Sequence, residues 1–260
     1  MEVSLNTETR PLHSCRDTVM LSNPPATDAA HILREMTIPI KDEARRILSI
    51  ITQSYQSIPS NKWLYDGEPE AERCPLLYFF GPQYDDTIES HSENDGSGSQ
   101  AGSEIWTSSD PDGEIQSVMA CKLPHKVYEA QGIRNVYAER LWGILPEDKV
   151  NWLRDESGNA SAELRATLEF KHEDSVELQF LFTDPSSRSQ GHGTKLIEKM
   201  KELSERNGLP FWLSAHNDGT RSFYELKGGL KRGSTVELPF GHGKSSDLTA
   251  FTYIPDQLKS

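Results

Sequence analysis

The chain has 260 residues, a formal net charge of −13 and a hydrophobic content of 35%. This length suits one large domain with appendages, and the apolar content supports a core while leaving room for unstructured segments. The negative charge opposes binding to a phosphate backbone, so we expect no nucleic-acid partner, although a local basic groove for one anionic ligand is compatible with it.

Cysteine usage and hydropathy indicate a reducing, aqueous compartment. Cys15, Cys74 and Cys121 are odd in number and far apart, which indicates neither a disulfide framework nor a zinc ribbon. The first residues lack an apolar signal core, and no run approaches the roughly 18 apolar residues that a membrane span needs. We therefore expect a soluble protein of the cytoplasm, with the nucleus left open, and no membrane partner.

The N-terminal quarter predicts a polar segment followed by two helices. Residues 1–26 are polar and end in two prolines, so we expect partial disorder there. Asp28 is a candidate cap for a helix that runs to Met36, and a second helix is expected over residues 41–55. The inner face of the second helix would consist of Ile47, Ile50, Ile51 and Ser54.

The middle of the chain mixes strands, an acidic insertion and further helix. Residues 74–80 are typical of a buried strand, whereas residues 85–104 are acidic and rich in serine and glycine, which predicts a mobile insertion. Residues 104–124 predict a hairpin around an Asp-Pro-Asp-Gly turn. Residues 134–157 predict helix interrupted at Pro146.

The C-terminal half predicts a strand, a glycine loop, a helix and another strand. Residues 176–182 alternate, which places Val176, Leu178, Phe180 and Phe182 on one predicted face. A helix over 194–207 ends at an Asn-Gly pair. The later elements are a strand at 210–216, a short helix at 222–228 and closing strands at 234–240 and 248–255. Residues 27–260 therefore predict a single α+β domain with a mixed, mostly antiparallel sheet, flanking helices and one βαβ unit.

The glycine loop between residues 183 and 194 is a candidate anion site. A strand that leads straight into a helix leaves the first helical N–H groups unpaired and facing the loop, and such a place attracts phosphate. Gly191 and Gly193 allow close approach to the main chain, and Arg188 adds positive charge. The spacing matches neither the P-loop nor the dinucleotide fingerprint, and a simple tight turn stays as the alternative.

Two motifs at this spacing resemble the GNAT superfamily of acetyl-CoA-dependent N-acetyltransferases. Residues 188–193, RSQGHG, match the signature R/Q-x-x-G-x-G/A, and Asn217 stands seven residues before Tyr224 in HNDGTRSFYELKGG. The resemblance covers residues 104–254, and its layout is similar to puromycin N-acetyltransferase-like members. Thr220 departs from the family's alanine, and His192 takes a position that is usually aliphatic.

The resemblance implies acetyl-CoA as donor and direct attack by the primary amine of a small molecule on the thioester. The main chain of Leu181, Phe182 and Thr183 would pair with the pantetheine arm like an added strand. The loop amides would hold the pyrophosphate, and they belong to Arg188, Ser189, Gln190, Gly191, His192, Gly193 and Thr194.

The same resemblance gives three side chains a role in the reaction. Tyr224 corresponds to the acid that protonates the departing thiolate, with a buried structural aromatic as the alternative. Asn217 would bind the cofactor or the strand end, or else cap a helix. Glu177 would be the base, acting directly or through water, or else an exposed charge on the sheet. We expect the His192 side chain to face solvent.

Three functional hypotheses remain open at this point. The first is acetylation of a small amine, the second is acetylation of a protein or peptide amine, and the third is a non-catalytic module that binds acetyl-CoA. The scattered histidines show no metal-binding spacing, so we propose no metal. The oligomeric state, the acceptor and the length of the acyl group are left open by the sequence.

Overall fold

The computed structural model describes residues 31–36, 41–68, 103–124, 141–241 and 243–259. Within them, seven strands form one sheet in the order β1-β2-β3-β4-β5-β7-β6. The strands are β1 Ile32–Glu35, β2 Ser103–Ser109, β3 Ile115–Lys122, β4 Val176–Thr183, β5 Phe211–Ala215, β6 Lys231–Phe240 and β7 Lys244–Tyr253. Neighbouring strands are antiparallel except β4 and β5, which are parallel. The predicted α+β class, the hairpin and the βαβ unit are confirmed.

Helices cover both faces of this sheet. They are α1 Lys41–Tyr55, α2 Pro59–Tyr65, α3 Glu147–Arg154, α4 Glu156–Ala166, α5 His192–Asn207 and α6 Asp218–Ser222, which continues as a π-helical turn Phe223–Lys227. Residues 141–144 are also helical. Helix α1 has the predicted bounds, and its predicted inner face is buried. Helix α5 begins two residues earlier than predicted and ends, as expected, at Gly208 in the left-handed conformation.

Helix α5 and the turn Phe223–Lys227 pack on one face of the sheet, and α1, α2, α3 and α4 cover the opposite face. The apolar side of α5 packs against β3, β4 and β5 through Leu196, Ile197, Met200 and Leu203. On the opposite face, α1 packs over β3 and β4, whereas α2, α3 and α4 pack over β5, β6 and β7. The predicted disordered segment at 1–26, the strand at 74–80 and nearly all of the insertion at 85–104 lie outside the described residues.

The helix predicted up to Met36 is wrong for the part that the structure describes. Residues Ile32–Glu35 form an edge strand, with Ile32 opposite Ser109 and Glu35 opposite Trp106. All four side chains of β1 are exposed, so the helix-like spacing of its apolar residues does not produce a buried face. Pairing with the edge of β2 supplies backbone hydrogen bonds, and this tertiary gain overrides the local pattern.

The single apolar face predicted for residues 176–182 is also wrong. Ala120 lies opposite Phe180 but Cys121 lies opposite Leu178, which leaves Gln179 as one additional residue on β4. Because a bulge reverses the alternation of side chains, Val176 and Leu178 pack toward α5, while Phe180 packs toward α1.

Arg46 ties α1 to the sheet directly ahead of the glycine loop. Its Nη1 atom lies 2.7 Å from Oδ2 of Asp184, and its Nε donates to the carbonyl oxygen of Ile115 at 2.8 Å. Asp184 also accepts hydrogen bonds from Ser186, and these bonds together with Arg46 lower the pKa of its carboxyl group. The end of β4 is therefore held in one position relative to α1.

Replacing Arg46 with leucine is expected to lower the free energy of unfolding by about 3 kcal/mol, because the buried carboxylate of Asp184 would lose its charged partner. Urea unfolding followed by circular dichroism measures this loss. Arg45→Leu is the matched control, since Arg45 pairs with Asp42 where both side chains are exposed, and its loss should stay below about 1 kcal/mol. Equal losses in the two variants would show that the buried pair adds nothing.

Candidate active site

A cleft opens where β4 and β5 diverge. The two strands pair only at Val176 with Phe211 and at Glu177 with Trp212, after which β5 stays with β7 and β4 stays with β3. A cavity of about 1160 Å³, called here the coenzyme cleft, lies in this gap. Leu181, Phe182 and Thr183 line it, and no residue of β5 lies opposite them. The structure therefore places the predicted pantetheine-binding segment along the cleft.

The glycine loop forms the mouth of the coenzyme cleft. Ser189 and Gly191 have φ values of 64° and 96°, and these left-handed residues turn the chain sharply into α5. The first helical bond runs from the Lys195 N–H to the Gly191 carbonyl at 3.0 Å, so the amides just before Lys195 have no partner within the helix. All of residues 188–194 line the cleft. Such free N–H groups at a 16-residue helix attract a pyrophosphate.

Gly193 lets the start of α5 lie close to the sheet. A β-carbon at this position would lie 3.3 Å from Oγ1 of Thr183 and 3.4 Å from Cζ of Phe223. These separations are tighter than ordinary packing, so a side chain here would push the helix away from β4. The missing side chain therefore keeps the loop amides next to the segment that lines the cleft.

His192 does not face solvent, contrary to the expectation from sequence. Its side chain is buried, its Nδ1 atom lies 2.9 Å from Oγ of Ser108, and its ring centroid lies 4.3 Å from that of His31. Burial, and to a smaller extent the nearby His31, lower the pKa of His192. The side chain thus anchors the loop to β2 as a neutral imidazole. Ser108 is 84 residues away, so no local pattern could reveal this contact.

Tyr224 lines the coenzyme cleft, and its side chain is buried. The ring is 4% exposed and packs against Phe223 and Phe251, at centroid distances of 5.2 Å and 5.7 Å. Burial raises the pKa of this phenol, so the proton stays on the oxygen. Among the described residues the hydroxyl has no hydrogen-bond partner. The protonated Tyr224 hydroxyl can therefore donate a hydrogen bond to a ligand in the cleft.

Asn217 and Glu177 occupy different surroundings. Asn217 lines the cleft and also caps α6, since its Oδ1 accepts from the N–H of Thr220 at 2.9 Å and from its hydroxyl at 2.7 Å. Thr220, the departure from the family's alanine, thus strengthens the cap.

Glu177 is not among the described residues that line the cleft, and its carboxylate lies 4.0 Å from Nζ of Lys122. Its predicted role as a base would require water between it and the cleft.

A second pocket, which the sequence reading missed, adjoins the cleft on the face covered by α2, α3 and α4. This side pocket has a volume of about 220 Å³. It shares four lining residues with the coenzyme cleft, namely Tyr55, Asn61, Ser214 and His216. The gap between β4 and β5 therefore links the loop to the opposite side of the sheet. In the sequence, the only feature that could have indicated this pocket is His216, which directly precedes Asn217 of the second motif.

Acidification is expected to destabilise the fold through His216. Burial, followed by the positive charge of Arg221, lowers the pKa of this histidine from 6.5 to about 4. The unfolded chain then binds the proton more tightly than the folded chain, so the stabilisation present above pH 6.5 is lost as the pH falls toward 4.

Between about pH 7 and pH 4, the free energy of unfolding should fall by about 3 kcal/mol more in the unmodified protein than in His216→Phe. Urea unfolding at several pH values measures the difference. His172→Phe, at an exposed histidine, should keep the steep dependence of the unmodified protein. Parallel curves for the unmodified protein and His216→Phe would contradict the assignment.

Comparisons with known proteins fit this geometry. Residues 119–228 match the family model described as the acetyltransferase (GNAT) family. The chain is similar in structure to histone acetyltransferase HPA2 and related acetyltransferase from Corynebacterium glutamicum, with 16% identity, a TM-score of 0.51 and coverage of 86% of this chain and 96% of that one. No curated protein sequence matches the chain.

Two further solved structures match the chain with TM-scores just under 0.5. An N-acetyltransferase from Staphylococcus aureus has 10% identity, a TM-score of 0.49 and coverage of 86% of this chain and 98% of that one. The protein yncA from Salmonella typhimurium, solved with its cofactor acetyl-CoA, has 13% identity, a TM-score of 0.49 and coverage of 89% and 97%.

The fold is that of the GNAT acetyltransferases. The match to the GNAT acetyltransferase family model runs from Met119 in β3 to Gly228, and together with the fold it is consistent with an N-acetyltransferase that uses acetyl-CoA as its acetyl donor. The described residues contain no group of histidine, cysteine or carboxylate side chains that could hold a metal ion. No helix in the described ranges is long and apolar enough to cross a membrane.

Proposed function

We propose that this protein transfers the acetyl group of acetyl-CoA to the primary amine of a small molecule. The observation that carries the proposal is the junction of the coenzyme cleft with the side pocket through the gap between β4 and β5. At about 220 Å³, the side pocket is smaller than the roughly 300 to 1,000 Å³ of sites for drug-sized ligands. A compact amine matches that volume.

The residues of the cleft support a direct transfer. The amides at the start of α5 would hold the pyrophosphate, and the main chain of residues 181–183 would bind the pantetheine arm. The amine nitrogen attacks the thioester carbonyl carbon, a carbon–nitrogen bond forms and the carbon–sulfur bond breaks. The departing sulfur receives a proton from the Tyr224 hydroxyl, the nitrogen gives up one proton to water, and a proton from water restores the hydroxyl, so that the products are the amide and the coenzyme A thiol.

Two further expectations belong to this proposal. The layout similarity to puromycin N-acetyltransferase-like members supports a small acceptor over a protein. The cysteine usage supports a reducing compartment, so we place the protein in the cytoplasm, with the nucleus as the alternative.

Calorimetry and thiol release together test the proposal. Titration with acetyl-CoA should show binding, and a panel of small primary amines and short peptides should release coenzyme A thiol with small amines only. If only peptides are acetylated, the acceptor is a peptide or protein amine and the small-molecule proposal is wrong. Binding without turnover across the panel would indicate a non-catalytic acetyl-CoA-binding module.

A further inference from the structure

The side pocket contains buried polar atoms that have no protein partner. Oγ of Ser60 and Nδ1 of His216 are both buried and make no hydrogen bond with any described residue. Buried polar atoms in folded proteins nearly always have a hydrogen-bond partner. Two such atoms around one pocket can form hydrogen bonds with a polar ligand.

The side pocket is also unsuited to a positive charge. Its described lining residues include no aspartate, glutamate, lysine or arginine, although the chain as a whole carries a net charge of −13. The charge of Arg221, which helps to lower the pKa of His216, is also positive. An ammonium group in this pocket would lose its hydration without gaining a carboxylate, which is costly.

The walls of the pocket include flat aromatic surfaces. The rings of Tyr55 and Tyr65 stack at a centroid distance of 5.2 Å and an interplanar angle of 10°. Trp152 lines the same pocket, and its Nε1 atom donates to the carbonyl oxygen of Pro239, which fixes the indole. An aromatic ring on the ligand would pack against these surfaces.

We propose that the side pocket selects weakly basic aromatic amines that arrive uncharged, and that His216 accepts a hydrogen bond from the amine N–H. This inference rests on the proposed function and names its substrate class. The bond would direct the nitrogen lone pair toward the thioester, because His216 lines both the side pocket and the coenzyme cleft. His216 stays neutral above about pH 5, since its pKa is lowered to about 4, and it therefore keeps an acceptor nitrogen.

Two acceptors of similar size test the selection by charge. Aniline is weakly basic and uncharged at neutral pH, whereas benzylamine is strongly basic and almost fully charged. Near pH 7 we expect kcat/KM for aniline to exceed that for benzylamine by at least about tenfold. The value for benzylamine should rise by about tenfold per pH unit toward its own pKa, and the value for aniline should stay flat.

Benzylamine turnover that matches or exceeds aniline turnover near pH 7, with no rise at higher pH, overturns the inference and leaves the proposed function standing. Absence of thiol release with any primary amine, despite acetyl-CoA binding, overturns both. The two failures are therefore distinguishable.

Variants at His216 and Ser214 separate a positioning role from a structural one. His216→Leu should lower kcat with aniline by roughly 10- to 100-fold, as expected for losing one hydrogen bond, while acetyl-CoA affinity stays within about twofold. His216→Asn, which keeps an acceptor atom, should recover most of that loss. Ser214→Asp places a carboxylate where the two cavities meet and should shift preference toward benzylamine. Equal losses in both His216 variants, or an unchanged preference in Ser214→Asp, overturn the inference.

Discussion

Replacing Gly191 with valine is expected to weaken acetyl-CoA binding by roughly 30- to 100-fold, measured by isothermal titration. Gly191 has a φ of 96°, which a β-branched residue adopts only with strain, and its β-carbon would lie 3.1 Å from Nε2 of His31. Relieving the strain moves the loop, so the free amides at the start of α5 no longer converge on the pyrophosphate.

Gly208→Val is the matched control for this loop variant. Gly208 ends the same helix, has a φ of 63°, and its β-carbon would lie 3.1 Å from a side-chain nitrogen, Nε2 of Gln257. The control should therefore lose stability as Gly191→Val does but keep its affinity for acetyl-CoA within about threefold. Equal affinity losses at the two ends of α5 would mean that the loop amides do not hold the coenzyme.

Replacing Tyr224 with phenylalanine is expected to lower kcat by about 100-fold, the usual contribution of a general acid. The hydroxyl has no partner among the described residues, so its removal breaks no internal hydrogen bond. The melting temperature should therefore stay within about 2 °C, and acetyl-CoA affinity should not change. Steady-state thiol release with the best amine of the panel measures kcat.

Tyr253→Phe is the matched control, and it is expected to lose stability while keeping its kcat. The hydroxyl of Tyr253 donates to Glu205 at 2.6 Å, and this bond is the main reason why the pKa of Tyr253 rises to about 12. Removing it should cost about 1 kcal/mol of stability and leave kcat unchanged. If Tyr224→Phe instead lowers stability and keeps its turnover, Tyr224 is a structural aromatic and another group protonates the thiolate.

Local sequence patterns were sufficient to predict much of the fold and the loop expected to bind the acetyl donor. Helix α1 was predicted with its bounds because its apolar residues recur at helical spacing and all face one side. The loop at residues 188–194 was predicted because strand, glycines and helix are contiguous in the chain, so their relative placement follows from local geometry. Tyr224, by contrast, was assigned to this site through the resemblance of its motif to the GNAT superfamily and not through local geometry.

The failures share one cause, which is a partner far away in the sequence. Residues 32–35 become a strand through pairing with β2, about 70 residues later. The bulge at Gln179 appears only in the register against β3, and it sends Phe180 to the opposite face. His192 was expected in solvent because Ser108, its partner, lies in a different element.

By itself, the sequence determined the order of most strands and helices, the glycine loop at the start of α5 and the class of reaction that its motifs imply. Only the tertiary structure decided where the two cavities meet and which side chains face the side pocket. That pocket is built from α1, α2, α3, α4 and strands β5, β6 and β7, so its shape and charge depend on contacts between distant segments. Periodicity reports which face of one element is apolar, but it carries no information about which other element covers that face.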